Sequence, residues 1–406
     1  MKRLIPFLCV FAYYASPYRL AGHVLPEMIY LVAAILQLVV SRKYHLPNEY
    51  IFFMTYMWLI PPVISRIVGL PGSIFDSILP LGLLLTSLNL AILIPNVDGK
   101  IVLKYYKYLV YVAIGFFVVQ EVSITFIGYK PTLYLSFLDS YYAGANMAEF
   151  AASRSEMDRS SSFFLEPSHY IQYIIPYVCI VISQCFQNRK ITKELVILLA
   201  AVILAKTGAG YFEMAVIGVY LFFIYSKMNV LKKLFVLASI FGIYSIAVTY
   251  FSDNIIVAEI LRRSSEFSLT VDAHGQQSGF FRIWRGYFIY AAGDPMNQIF
   301  GTALSAVEYV ASKVFIAGIN YDGTYMNGIQ SLLVTGGVIG TFLFFLYIRK
   351  IYKEFTPTGR CVLVAMIGLF FIENMLYSPK MFLFILVASC ISQLEKIKVE
   401  QTKKYK

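Results

Sequence analysis

A chain of 406 residues that is 59% hydrophobic and only 14% charged has too little polar side chain to wrap its own apolar bulk, since a soluble domain carries nearer ~25% charged residues. With a mean hydropathy of +0.68, the missing solvent is lipid. The net charge of +11 would suggest nucleic acid in a soluble protein, but the basic residues stand at the ends of apolar runs rather than on one polar face, which excludes that partner.

In chain order, apolar runs long enough to be membrane helices fall near 4–21, 25–41, 50–66, 75–95, 105–127, 168–187, 192–206, 210–226, 231–251, 326–348, 360–374 and 379–392, about twelve in all. The opening Met1-Lys2-Arg3 followed by Leu4 to Ser16 has the form of a signal peptide, but so many later spans favour an uncleaved first helix. Pro17, Pro26 and the Glu373-Asn374 break leave the first two and last two spans open to other boundaries.

Starting inside, the inner segments would hold Lys2/Arg3, Arg42/Lys43, Lys100/Lys104/Lys107, Arg189/Lys190/Lys193, Lys227/Lys232/Lys233, Arg349/Lys350/Lys353/Arg360 and the tail from Lys396 to Lys406. These are most of the 34 basic residues, in short loops where positive charge sets orientation. The expected fold is an all-α polytopic membrane protein, one membrane domain over 1–406. Both termini are cytoplasmic, and long extracytoplasmic loops run over 128–167 and 252–325. In the second loop, Asn254 to Arg263 and Ile299 to Ile316 have the mixed character of surface-lying amphipathic helices.

The first loop ends in Arg159-Ser160-Ser161-Ser162-Phe163-Phe164-Leu165-Glu166-Pro167-Ser168-His169, with Pro167 suited to a first helical turn. Glu166 is then either an acid or base beside a lipid headgroup or a helix cap, with Arg159 pairing to a nearby carboxylate. The second loop carries Arg282-Ile283-Trp284-Arg285. Two guanidinium forks on one face suit a diphosphate, while Trp284 and Tyr287 equally suit an interfacial belt on anionic lipid. Between the seventh and eighth spans, Lys206-Thr207-Gly208-Ala209-Gly210 precedes Glu213. An ionisable residue inside a span is a functional candidate, or Lys206 snorkels outward and Glu213 pairs with it. Asn320 to Gly328 is polar and opens the tenth span, whose Gly336, Gly337 and Gly340 imply close helix packing.

Other chemistries find no support. The five cysteines lie in or beside apolar runs with no CxxC pair, and four histidines cannot build a His-rich metal site. The phosphate loop, HExxH and nucleophile-elbow signatures are absent.

Taken in order, several of these pieces resemble the Wzy-type polymerases of bacterial O-antigen and capsule repeat units. They are Arg159 to His169, Arg282-x-x-Trp-Arg285, Asn297-Gln-Ile-Phe-Gly301, and Asn327 ahead of Gly336-Gly337-x-x-Gly340, with the Lys206 to Gly210 turn a further likeness. The resemblance covers about residues 155–345 and the overall topology. It implies a glycosyltransferase of polysaccharide (lipopolysaccharide, capsule or exopolysaccharide) biosynthesis in the bacterial cytoplasmic membrane. A growing glycan would pass from polyprenyl diphosphate to the sugar end of a new lipid-linked unit at the outer face, without metal or cofactor. It further implies that Arg159, Lys206, Arg282 and Arg285 hold the diphosphate, that Glu166 or His169 serves the attacking hydroxyl, and that Tyr325 and Asn327 line the substrate. A flippase and a chain-length regulator are the implied protein partners. O-antigen ligases share these features but carry a His where Thr324 to Asn327 has none. A lipid-linked oligosaccharide flippase, the reading from a different class, would have short loops and repeated halves.

Overall fold

The computed structural model describes residues 1–20, 23–41, 44–71, 81–135, 138–140, 159–236, 238–239, 283–314 and 326–404. The chain opens with α1 (Leu4–Phe11), prolonged by a 3-10 turn over Ala12–Ala15, then strands β1 (Tyr18–Leu20) and β2 (His23–Val24) and helices α2 (Leu25–Val40), α3 (Asn48–Ile67), α4 (Leu81–Ile92) and α5 (Gly99–Ile127). After β3 (Asp139–Ser140) come α6 (Pro167–Asn188), α7 (Lys193–Leu204) and α8 (Gly208–Tyr225). The short α9 (Arg285–Ala292), α10 (Pro295–Phe300) and α11 (Val307–Ser312) precede α12 (Gly328–Glu354), α13 (Pro357–Phe370) and α14 (Pro379–Lys404).

Among the described residues five helices, α3, α5, α6, α8 and α12, are long and apolar enough to cross a membrane, and Leu4–Ala15, α2 and α13 are shorter apolar helices. Apolar stripes on the long ones face outward, such as Ile51, Phe52, Leu59 and Val63 on α3 and Val112, Val119, Val122 and Phe126 on α5. Exposed apolar faces of that extent need lipid rather than water.

Several expected boundaries differ. The first span ends at Ala15 rather than near 21, because Pro17 cannot donate to a continuing helix and the chain turns into β1. There, a small antiparallel sheet of order β2-β1-β3 departs from the all-helical expectation, with Arg19 opposite Val24 and Tyr18 opposite Ser140. α5 begins at Gly99 rather than 105, since the Asp98 carboxylate accepts the Lys100 and Ile101 amides and caps the helix ahead of its lysines. α14 runs well past 392 through residues that are good helix formers. Of the 231–251 span, only 231–236 and 238–239 fall within the described residues.

At the centre stands α6, buried without a break from Tyr170 to Ser183 and packed against α5, α7, α8, α13 and α14. A helix apolar on every side belongs inside a bundle. Lipid tails are as apolar as leucine, so packing and polar bonds rather than water exclusion hold such a helix in place. Tyr106 donates to the Tyr173 carbonyl, Tyr173 to the Val10 carbonyl at 3.2 Å, and Tyr13 to Gln172 Oε1 at 3.3 Å.

α12 is broken at Gly337 (φ 63°, ψ −168°), a conformation that is essentially glycine-only. The turn after α10 inserts there: a Cβ on Gly337 would lie 2.4 Å from the Ile299 carbonyl oxygen. The carbonyls released by the break find new donors, Val334 from the Thr302 amide (2.8 Å) and Gly336 from Tyr56 Oη (3.3 Å), which also reaches Phe300 (2.9 Å). Two sequence motifs, Asn297 to Gly301 and the glycines of α12, are thus the two halves of one joint. Gly336 and Gly340 also pack closely on Met57, as expected of them.

Candidate functional site

The segment leading into α6 is held down from below. Ser161 and Ser162 amides donate to Gln120 Oε1 at 3.0 and 2.7 Å, and Gln120 Nε2 donates back to the Ser162 carbonyl at 3.1 Å. Ser162 Oγ reaches the Ala113 carbonyl (2.7 Å), and the buried Lys130 ammonium donates to Ser161 Oγ (2.9 Å). Phe163 stacks on Phe116, and Phe164 packs among Tyr13, Tyr14 and Tyr173. The serines and phenylalanines of the motif therefore anchor the loop in the bundle and fix where Glu166 emerges.

Glu166 stands at the N-cap of α6 with extended backbone, but its carboxylate caps nothing. Instead, Ser168 Oγ donates to Glu166 Oε2 at 3.2 Å. His169, three residues on and so on the same helix face, lines the same cavity of about 410 Å³. Its remaining walls come from Tyr13 and Ser16 after α1, Glu27 in the first turn of α2, and the turn from Glu373 to Lys380 that joins α13 to α14. Lys380 Nζ sits 3.2 Å from Glu373 Oε1, both largely buried. Burial, and secondarily Tyr50, push the Tyr377 phenol well above its usual range, so this wall residue stays a neutral hydroxyl.

A second group adjoins the first. Asn327 and Gln330 form a reciprocal capping box on α12, while Asn327 Nδ2 donates to the Phe371 carbonyl (2.8 Å) and the Gly328 amide to the Glu373 carbonyl (2.9 Å). Gln330 Nε2 in turn holds the Ile283 carbonyl at 2.6 Å, and Gly286 lies so close that a Cβ would meet Gln330. Arg285, 2% exposed, is thereby fixed to the helix turn that also carries the cavity's Glu373 wall. Asn327 itself is buried, with its side-chain amide engaged in these bonds.

Of the remaining candidates within the described residues, Arg159 and Lys206 lie apart from the cavity lining. Arg159 opens the anchored loop, and Lys206 is exposed at the α7–α8 turn, in left-handed backbone (φ 49°). That turn is fixed by the Thr207 cap on the Gly210 amide (3.0 Å) and approaches Ile171 of α6. Arg282 and Tyr325 fall outside the described residues. Glu213 does not pair with Lys206, which was one of the two alternatives. Glu213 is wholly buried between α8 and α13, and neither of its oxygens has a hydrogen-bond partner among the described residues.

The chain matches no protein-family model and no curated protein. The site has therefore to be read from its own chemistry: carboxylates, an imidazole and an ammonium around one cavity, the equipment for moving a proton at a bound hydroxyl. No group of three or more metal-ligating side chains occurs among the described residues.

Sequence reasoning missed Glu27, Glu373 and Lys380. A signal was present, since few ionisable residues stand at the span ends opposite the basic loops, and these three do. At the far end of the bundle, Lys107 pairs with Glu194 (2.9 Å), and Gln187 bonds both Tyr225 and Thr358. Residues of α5, α6, α7, α8 and α13 thus meet at that end.

Proposed function

We propose that the protein polymerises polyprenyl-diphosphate-linked oligosaccharide repeat units at the outer face of a bacterial cytoplasmic membrane, crossing it about twelve times with both termini inside. The observation that carries this reading is the meeting of Glu166 and His169 in one cavity, at the bundle end opposite the Lys107–Glu194 pair.

In this reading the acceptor sugar's hydroxyl oxygen attacks the anomeric carbon of the growing glycan. The bond from that carbon to the diphosphate oxygen breaks, and polyprenyl diphosphate leaves with the bonding electron pair. Glu166 takes the hydroxyl proton, with His169 as the neighbouring acid–base group. Arg285 and Arg282, helped by Arg159 and Lys206, meet the charge on the departing diphosphate, a task suited to planar guanidinium forks.

The test is extension of purified lipid-linked repeat units by the purified chain. Glu166→Gln keeps shape and hydrogen bonding but loses basicity, and should slow extension by roughly a hundredfold or more. Near-normal turnover in that variant would remove Glu166 from the chemistry. In cells, deletion should leave single-unit surface glycan. Loss of all glycan would instead favour ligation or flipping.

A further inference from the structure

The cavity wall carries more polar chemistry than a base for one hydroxyl requires. Ser16 lines it, and the buried Ser16 Oγ has no hydrogen-bond partner among the described residues. Gln172 lies three residues beyond His169 on the same face of α6 and is 1% exposed. Its Oε1 accepts from Tyr13, itself a wall residue, while Nε2 finds no partner among the described residues. Buried polar atoms are nearly always bonded, so the orphaned Ser16 hydroxyl in the wall points to an occupant that offers hydroxyls. Tyr13, Pro26 and Leu376 supply apolar surface for the face of a ring. Among the described residues the lining holds three carboxylates, Glu27, Glu166 and Glu373, and one ammonium, Lys380, which lies 3.2 Å from Glu373. A diphosphate would meet mostly its own sign of charge there.

We propose that the cavity is a sugar-ring subsite for the acceptor glycan. It takes a neutral, polyhydroxylated ring, with Ser16, Glu27 and the Glu373–Lys380 pair determining which ring fits. This rests on the polymerase reading and divides its site in two: the glycan in the cavity, the diphosphate on the arginine-bearing side near Gln330. Glu27, Glu373 and Lys380 thereby gain a specificity role that no motif announced.

The full chain in lipid nanodiscs would be examined by saturation-transfer NMR with methyl glucoside, methyl galactoside and methyl N-acetylglucosaminide, and with inorganic pyrophosphate as competitor. At least one neutral glycoside should bind, weakened about tenfold in Ser16→Ala and in Glu27→Gln, and pyrophosphate should not displace it. Both substitutions are conservative, and Lys380→Met provides a third variant should either fail to fold. Displacement by pyrophosphate, absence of any glycoside binding, or unchanged binding in every folded variant would overturn the assignment. Glycoside binding as expected, in a wild-type chain that extends no lipid-linked units, would instead sink the polymerase reading and leave the cavity a carbohydrate site.

Discussion

Ser162, Lys206 and Tyr377 are three of the four non-glycine residues with left-handed backbone among the described residues, and all three lie at the cavity end of the bundle. Such conformations cost on the order of 1 kcal/mol each and persist where surrounding structure enforces them, commonly at functional sites. Arg285 makes a sharper case. Arg285→Lys keeps the charge but loses the planar fork, so extension of lipid-linked units should fall well below wild type at normal membrane levels. Wild-type rates would return Arg285 to an interfacial-belt role. Glu213 calls for a different measurement. A Cβ on Gly368 would come within 2.7 Å of Glu213 Oε1, so Gly368→Ala should destabilise by on the order of 1–3 kcal/mol. Most of that loss should vanish when Glu213→Ala is combined with it, as a double-mutant cycle by thermal denaturation in detergent would register. Additive effects would mean that the carboxyl does not occupy the space this glycine leaves.

The break in α12 is a joint between parts of the chain far apart in sequence, because α3, α9 and α10 all pack against that helix. Gly337→Ala would force a side chain into glycine-only backbone and against the Ile299 carbonyl, at a cost of about 3 kcal/mol or more. Gly218→Ala on α8 meets nothing within 4 Å and should be neutral or slightly stabilising. Equal melting shifts for the two would disprove the joint. At the opposite end, Glu194 accepts hydrogen bonds from Tyr111 and Tyr177 and pairs with Lys107, tying α7 to α5 and α6. The glycines of α12 were legible in sequence as close packing. The break was not, because its cause is a turn some forty residues earlier in the chain, and periodicity carries no record of such a partner.

At the scale of the whole molecule, orientation is the claim most open to direct measurement. Lys193 and Lys206 flank α7 and both are exposed, while all five native cysteines are buried. A cysteine at Lys206 should react with a membrane-impermeant thiol reagent in intact cells, and one at Lys193 should not. The reverse pattern would invert the topology. Thr302 would be a poor reporter, being buried and bonded to Asn297. Helix positions and the Glu166–His169 pair were readable in the chain because apolar runs and a helix start are local features. That Glu27 and Glu373 join them was not, since these residues stand at other helix ends that only tertiary packing brings together.

The burial of α6 bears on how the chain is made. Of the five long apolar helices, α6 is at once the most buried and the least apolar, with Gln172, Ser183 and several tyrosines along its length. Alone in hydrocarbon it would be the weakest candidate for retention by the insertion machinery. Part of its shelter comes from α13 and α14, which follow it in the chain. That part of its surface stays uncovered during translation until α13 and α14 have been made. Chains terminated just before Pro357 should therefore be cleared by membrane proteases, although every preceding helix is present. A pulse-chase comparison with the full chain would reveal this as a shortened half-life, and equal lifetimes would mean that α6 settles without its C-terminal cover.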